Sequence, residues 1–214
     1  MGGRRIGIVI PALNEANTIA DIVIHASRFG TAIVVDDGSS DSTSTVAEAA
    51  GAIVVRHALN RGYDSALNSG FARAADLGCD YIISMDADGQ HDAAILPAFI
   101  HALDSGADVV IGIRDQLQRF AEHFFAFVAS VLWKIRDPLC GMKGYTIGVY
   151  RDLGHFDSYD SIGTELAIFA ARCQKSIQQV PIRTRPRLDE PRFGNRFRSN
   201  VRILRALVNA FRTR

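Results

Sequence analysis

Tyr81-Ile82-Ile83-Ser84-Met85-Asp86-Ala87-Asp88-Gly89-Gln90-His91 is the stretch that decides the fold. Tyr81–Met85 reads as a strand buried on both faces, as in a parallel sheet covered by helices. A polar cluster follows at once, with carboxylates at positions 86 and 88. Working toward the N-terminus, the same arrangement recurs. Arg5–Ile10 runs into Pro11-Ala12-Leu13-Asn14-Glu15, and Ala32–Val35 into Asp36-Asp37-Gly38-Ser39-Ser40-Asp41. Ala52–Arg56 is followed, slightly past its end, by Asn60-Arg61-Gly62. Helix-like spacing fills the intervals: Asn17–Arg28, Ser42–Ala50, Tyr63–Leu77 and Ala93–Ser105, with Ser42 placed to cap its helix. Strand–helix alternation of this kind predicts an α/β chain built on a mostly parallel, doubly wound sheet flanked by helices. With no repeat, low-complexity tract or linker, residues 1–214 are expected to form a single domain.

Toward the C-terminus the character changes. Asp108–Ile113 reads as a fifth strand, Gln116–Ile135 as a long Phe-rich helix and Arg136–Gly141 as a loop. Lys143–Val149 reads as a further strand, Gly163–Lys175 as a helix and Ile177–Ile182 as a strand. Pro181, Pro186 and Pro191 punctuate an extended basic segment, and Asn195–Arg212 looks like a closing helix. The apolar surface of Gln116–Ile135 has two readings: a helix buried against the sheet, or one lying at a membrane interface beside the basic C-terminal segment.

The 214 residues carry a net charge of +1, which gives no case for a general nucleic-acid binder. The charge is unevenly placed, however. From Arg183 onward there are ten arginines against only Asp189 and Glu190, a pattern suited to phosphate groups, an anionic membrane surface or RNA, or else to a solvated helix face ion-paired to the acidic body. Cys79, Cys140 and Cys173 show no ligand spacing, so no disulfide framework or zinc site is expected and a reducing, cytoplasmic setting fits. Phe124–Trp133, the longest apolar stretch, is shorter than the ~20 residues a membrane helix needs. Together with the lack of a signal-peptide core after Met1–Arg5, this predicts a protein that does not span the bilayer.

Parallel strands end at one edge of their sheet, where ligands bind. Any one of the four polar clusters could be simple turn chemistry, since Asp, Asn, Gly and Ser are turn formers. Four at one edge point to a site. Asp86 and Asp88, one residue apart where the chain leaves a strand, can converge on a hard cation, and Gln90 can add a carbonyl oxygen. Mg²⁺ or Mn²⁺ prefers such oxygen ligands and commonly shares them with substrate phosphates. A dehalogenase-type phosphohydrolase would carry its Asp pair at the first strand. A nucleotidyltransferase would need a Gly-rich loop there, and Pro11–Glu15 has none.

Pro11-x-Leu13-Asn14-Glu15, Val34-Val35-Asp36-Asp37-Gly38-Ser39-x-Asp41, Asn60-Arg61-Gly62 and Asp86–His91 resemble the family 2 glycosyltransferases. The dolichol-phosphate mannosyltransferase-like (polyprenyl-phosphate glycosyltransferase) subgroup is the nearest in pattern. The similarity continues through Asp108–Arg114, Asp137–Tyr145 and Val180-Pro181-Ile182. It implies a GT-A (Rossmann-like) fold and an inverting hexosyl transfer from a UDP- or GDP-linked sugar. The favoured acceptor is polyprenyl phosphate, with a hydroxyl acceptor in cell-envelope glycan synthesis or a non-catalytic nucleotide-sugar-binding module as alternatives. Residues 1–114 would be the nucleotide-sugar half and 115–214 the acceptor half. Pro11, Leu13, Asn14, Glu15, Val35, Asp37 and Gly62 would line the donor site. Asp86, Asp88 and Gln90 would hold Mg²⁺ or Mn²⁺, with Ala87 touching the donor through its backbone. Arg114 would face a phosphate, and Arg187 and Arg196 would clamp one from the C-terminal loop. Glu165 matches the acidic acceptor-site position, as a base or simply as a carboxylate at a helix start. Asp88, Glu165 and Arg114 are thus the expected catalytic set. Two places depart from the pattern: Gly62-Tyr63-Asp64 stands where the family often has Gly-Lys-Gly, and the stretch from Arg187 to Gly194-Asn195-Arg196 is longer than usual. Peripheral attachment to the inner face of a membrane would suit a lipid-linked acceptor, and an oligomer is compatible with everything above.

Overall fold

The computed structural model describes residues 3–87, 93–183 and 196–211, with side chains of the last segment from residue 199 onward. Isoleucine and valine occupy both faces of the first strand, β1 (Ile6–Ala12), and the period-two alternation divides them between two cores. Ile8 and Ile10 join one cluster; Val9 joins the other. The remaining strands are β2 (Thr31–Asp36), β3 (Ile53–Arg56), β4 (Tyr81–Ser84), β5 (Val109–Arg114), β6 (Lys143–Thr146) and β7 (Ile177–Ile182). They form one sheet in the order β3-β2-β1-β4-β6-β5-β7. β1 lies parallel to β2 and β4, β2 to β3, and β5 to β7, while β6 runs antiparallel between β4 and β5. The mostly parallel α/β sheet predicted from the alternation is therefore present.

Helices α1 (Ile19–Ala26), α2 (Thr43–Ala49) and α4 (Leu96–Asp104) cover the Ile8 face. Helices α3 (Tyr63–Asp76), α5 (Phe120–Trp133), α6 (Ile147–Leu153), α7 (Glu165–Arg172) and α8 (Arg196–Ala210) cover the Val9 face. α3 approaches closely because Gly70 carries no side chain: a Cβ there would lie 2.2 Å from Val9 Cγ1. Phe71 on the same helix is fully buried, with ring centroids 4.4 Å from Phe156 and 5.7 Å from Tyr145. Burial of such a ring contributes roughly 1.5–3 kcal/mol.

The structure corrects three expectations. Lys143–Val149 is not one strand: pairing ends at Thr146, Asp80 O takes the Ile147 N–H at 2.8 Å, and the chain turns into α6. Ile147 and Val149 favour strand locally, but Val149 and Tyr150 pack against the α3 core, and that contact decides the outcome. β3 is an edge strand, only partly buried despite its apolar sequence. Ser42 makes no side-chain cap; Asp41 caps α2 instead, accepting the Thr43 N–H at 3.0 Å.

Candidate functional site

The C-terminal ends of β1, β2, β3 and β4 lie at one edge of the sheet, and hydrogen bonds lace the loops that leave them. Asn14, at φ 51°, donates its N–H to Ser39 Oγ (2.8 Å) and accepts the Ser40 N–H on its side-chain oxygen (2.9 Å). Glu15 N–H reaches Thr43 Oγ1 at 2.8 Å, fixing the first loop to the second. Beneath them Asp36 is fully buried, accepting the Ser39 N–H (2.8 Å) and the Ser44 hydroxyl. Burial pushes its carboxyl up, but these hydrogen bonds and Arg56 outweigh that and hold it below the ordinary value.

Asp37 gathers the third cluster. Its Oδ1 accepts the Arg61 N–H (2.9 Å) and its Oδ2 the Gly62 N–H (2.7 Å), so the loop after β3 closes over the loop after β2. Gly62, at φ +92°, adopts a backbone that side chains disfavour. Below Asp37 sits His57, which nothing in the sequence pattern singled out. Its Nδ1 is 2.7 Å from Asp37 Oδ1 and its Nε2 2.8 Å from Ser69 Oγ, tying the loop to α3. Pro11 and Leu13 are partly exposed along this edge. Val35 is fully buried in the core, so any contact it offers a ligand is through its backbone.

The fourth cluster is joined from two directions. Thr18 Oγ1 donates to Ala87 O (2.9 Å) and lies 3.2 Å from Glu15 Oε2, bridging the first and fourth loops. From the other side, the Tyr63 hydroxyl donates to Asp86 Oδ1 at 3.1 Å. Asp86 itself is half-buried and lies directly over Gly141, where a Cβ would come within 2.0 Å of Oδ2. Lys143, buried with its ammonium on Cys140 O (2.5 Å), lies close enough to feel the Asp86 and Asp137 charges. Asp88, Gln90 and Arg187, and the side chain of Arg196, lie outside the described residues. The donors that are described at this corner, the Asp86 carboxylate and the Ala87 carbonyl, are oxygens. Such a set fits a hard divalent cation.

Arg114 and Glu165 are held by other groups. Arg114 forms a bidentate pair with Asp137 (Nε–Oδ2 2.8 Å, Nη2–Oδ1 2.9 Å), and its Nη2 is 3.4 Å from Glu122 Oε2. Burial alone would lower its pKa; the Asp137 carboxylate outweighs this and raises it. Glu165, in the first turn of α7, accepts the Ser158 N–H (2.5 Å) and hydroxyl (2.8 Å) and lies 3.1 Å from His155 Nε2. Nearby Asp64 accepts N–H groups from Gly163 (2.6 Å) and Ile162 (3.3 Å), and faces Arg202 of α8 at 3.5 Å. Burial, then the Asp157 charge, pushes Asp64 up to about 6. The roles of Tyr63, Asp137 and Thr18 were not readable from the sequence, because each meets its partner across a long stretch of chain.

Comparison with known proteins bears on this edge. The family model described as Glycosyl transferase family 2 matches residues 7–127. Glycosyltransferase AglJ of Haloferax volcanii is 30% identical over 197 residues, 85% of this chain and 63% of that protein. UDP-N-acetylglucosamine–dolichyl-phosphate N-acetylglucosaminyltransferase of Methanococcus voltae is 30% identical over 110 residues, 42% of this chain and 44% of that protein. The chain thus spans less than two-thirds of the length of either relative. Glucosyl-3-phosphoglycerate synthase from Mycobacterium tuberculosis, solved with Mn²⁺, UDP and glucosyl-3-phosphoglycerate, shares the fold. It superposes with a TM-score of 0.73 at 21% identity, over 97% of this chain and 81% of that one.

Proposed function

This chain belongs to glycosyl transferase family 2, and we propose that it moves a hexose from a UDP- or GDP-linked donor to polyprenyl phosphate with inversion at the anomeric carbon. The observation that carries the reading is the gathering of four linked loops at one sheet edge, with Thr18 tied to Ala87 and Tyr63 to Asp86. The base and ribose lie along Pro11, Leu13, Asn14 and Glu15, against the frame that Asp37 builds with Gly62. Asp86 holds Mg²⁺ or Mn²⁺, together with Asp88 and Gln90 from the adjoining segment. When bound, the cation supplies positive charge against the departing nucleoside diphosphate. Arg187 and Arg196 add cationic charge from the C-terminal segment, and Arg114 sets the loop that carries Asp137. Support for the metal and nucleotide comes from the synthase solved with Mn²⁺ and UDP.

A phosphate acceptor is already an anion and asks for positioning rather than a base. That suits Glu165, whose carboxylate is engaged by Ser158 and His155. The methanococcal relative, named for a dolichyl-phosphate acceptor, supports the same class and with it the dolichol-phosphate mannosyltransferase-like subgroup. A lipid-linked acceptor also accounts for the outer faces of α5 and α8. Among the described residues, no helix is long and apolar enough to cross a membrane. Yet Phe120, Phe127 and Val131 on α5 and Val208 on α8 are 80, 67, 65 and 50% exposed. The two helices meet at Trp133 and Phe211, with ring centroids 5.6 Å apart. α8 carries four arginines and no acidic residue between 196 and 210, which complements an anionic bilayer.

Melting temperatures with UDP, GDP and their sugars, each with and without Mn²⁺, test the donor site. One nucleotide should stabilise the protein, and only with the metal. Stabilisation by none of them, or equally without metal, rejects the reading. Co-sedimentation with anionic vesicles tests the membrane face: Phe127→Asp should abolish binding that zwitterionic vesicles never show.

A further inference from the structure

Tyr63 and Asp64 stand where the sequence leaves the family pattern, and the structure puts both to use. They open α3, immediately after Gly62, and point to different neighbours. The Tyr63 hydroxyl donates to Asp86 Oδ1 (3.1 Å). Its ring edge lies against Gly163, where an added Cβ would be 3.4 Å from Tyr63 Cε1. Asp64 grips the same loop from the other side, accepting the Gly163 and Ile162 N–H groups. Gly163, at φ +69°, has the left-handed backbone that lets this loop present both N–H groups to one carboxylate. Asp86 therefore has one oxygen held by a phenol and the other packed on Gly141. The phenol in turn is braced by a loop nearly a hundred residues along the chain.

We propose that Tyr63 is a positioning residue for the cation, orienting the Asp86 carboxylate, and that Asp64 keeps Tyr63 in place by fastening the 162–163 loop. The inference rests on the metal reading above and names a residue outside that reading's ligands. A carboxylate free to rotate loses that freedom when it coordinates an ion; one already fixed by an outer partner does not. Removing such a partner weakens metal affinity by about 10–100-fold.

The experiment is Mn²⁺ titration followed by the electron paramagnetic resonance signal of the free ion, with metal-free melting temperatures alongside. Tyr63→Phe keeps the ring on Gly163 and should weaken Mn²⁺ binding about tenfold, with little change in metal-free melting. Tyr63→Leu should match it in Mn²⁺ affinity while melting lower, because the ring contact also goes. Asp64→Ala removes the acceptor for the 162–163 loop and should weaken Mn²⁺ binding as Tyr63→Phe does; parent-like affinity in it overturns the role given to Asp64. Parent-like Mn²⁺ affinity in Tyr63→Phe overturns the proposal and leaves the metal site standing. Failure of the unaltered protein to bind Mn²⁺ overturns both.

Discussion

The loops after β1, β2 and β4 and the segments around Arg114 and Glu165 both hold charge near one sheet edge, but by different means. In the first group, carboxylates and amides are satisfied by backbone N–H groups and hydroxyls of neighbouring loops: Asp37 by Arg61 and Gly62, Asn14 by Ser40, Asp36 by Ser39 and Ser44. Such a frame is set by the parallel ladder itself and leaves the site little net reorganisation when a ligand arrives. In the second group Glu165 is likewise held by the Ser158 N–H and hydroxyl, but around Arg114 charge meets charge. Arg114 is neutralised by Asp137 and Glu122, and Arg119 pairs with Glu122 (2.8 Å). A frame of ion pairs depends on both partners and on pH. The difference teaches that the carboxylates and amide at the ends of β1 and β2 are framed by N–H groups and hydroxyls of adjoining loops, whereas Arg114 is framed by carboxylates.

That contrast can be broken at several points. The largest effect should come from Asp86→Ala, expected to lower sugar transfer by about 10²–10³-fold while leaving metal-free melting near the parent value. Equal loss of stability would mean that Asp86 is part of the scaffold. Next, Asp137→Ala takes the bidentate partner from Arg114, whose side chain is only 18% exposed, and leaves it Glu122 alone, at a cost of about 3 kcal/mol in urea unfolding. Adding Arg114→Met should recover part of that loss, as expected when a buried pair is removed whole.

Titration sharpens the comparison further. Asp64 has its folded pKa raised, from 3.8 to about 6, so it favours the fold when protonated. Its contribution is fully present below pH ~3.8 and is lost as pH rises through about 6. Relative to Asp64→Asn, the parent's unfolding free energy should therefore fall across that window, by roughly 3 kcal/mol at most. A flat difference between the two would place the ionised Asp64 in no worse a setting than water. The smallest effect belongs to Glu165→Gln: turnover on a phosphate acceptor should stay within a few-fold, whereas loss of a general base costs about 10²–10⁴.

What could be read from the sequence follows the same division. β1, β2, β4 and their polar turns were legible because each is a short apolar run ended by turn residues, a local signal. The helix α6 was not, since Ile147-Gly148-Val149 favours a strand until its side chains meet Phe71 and its neighbours. Asp37 was legible as a polar residue where β2 ends, but not as the anchor for Gly62, 25 residues on. Tyr63 looked like a departure from pattern. Its partner is 23 residues distant, and only the sheet's strand order brings them together. Arg114 was legible as a cation at a strand end; that Asp137 takes two of its three guanidinium nitrogens depends on a loop whose path no local rule gives.

The antiparallel strand β6 has a consequence for how the molecule can be cut. β5 reaches the rest of the sheet only through β6, which the chain supplies some thirty residues later. A fragment ending at Arg114 would contain β5 with neither of its ladder partners and would leave one side of β4 open. Bare ladder edges recruit other chains. Expression of residues 1–114 alone should yield aggregates, so the halves on either side of that residue share one fate in folding, degradation and evolutionary exchange.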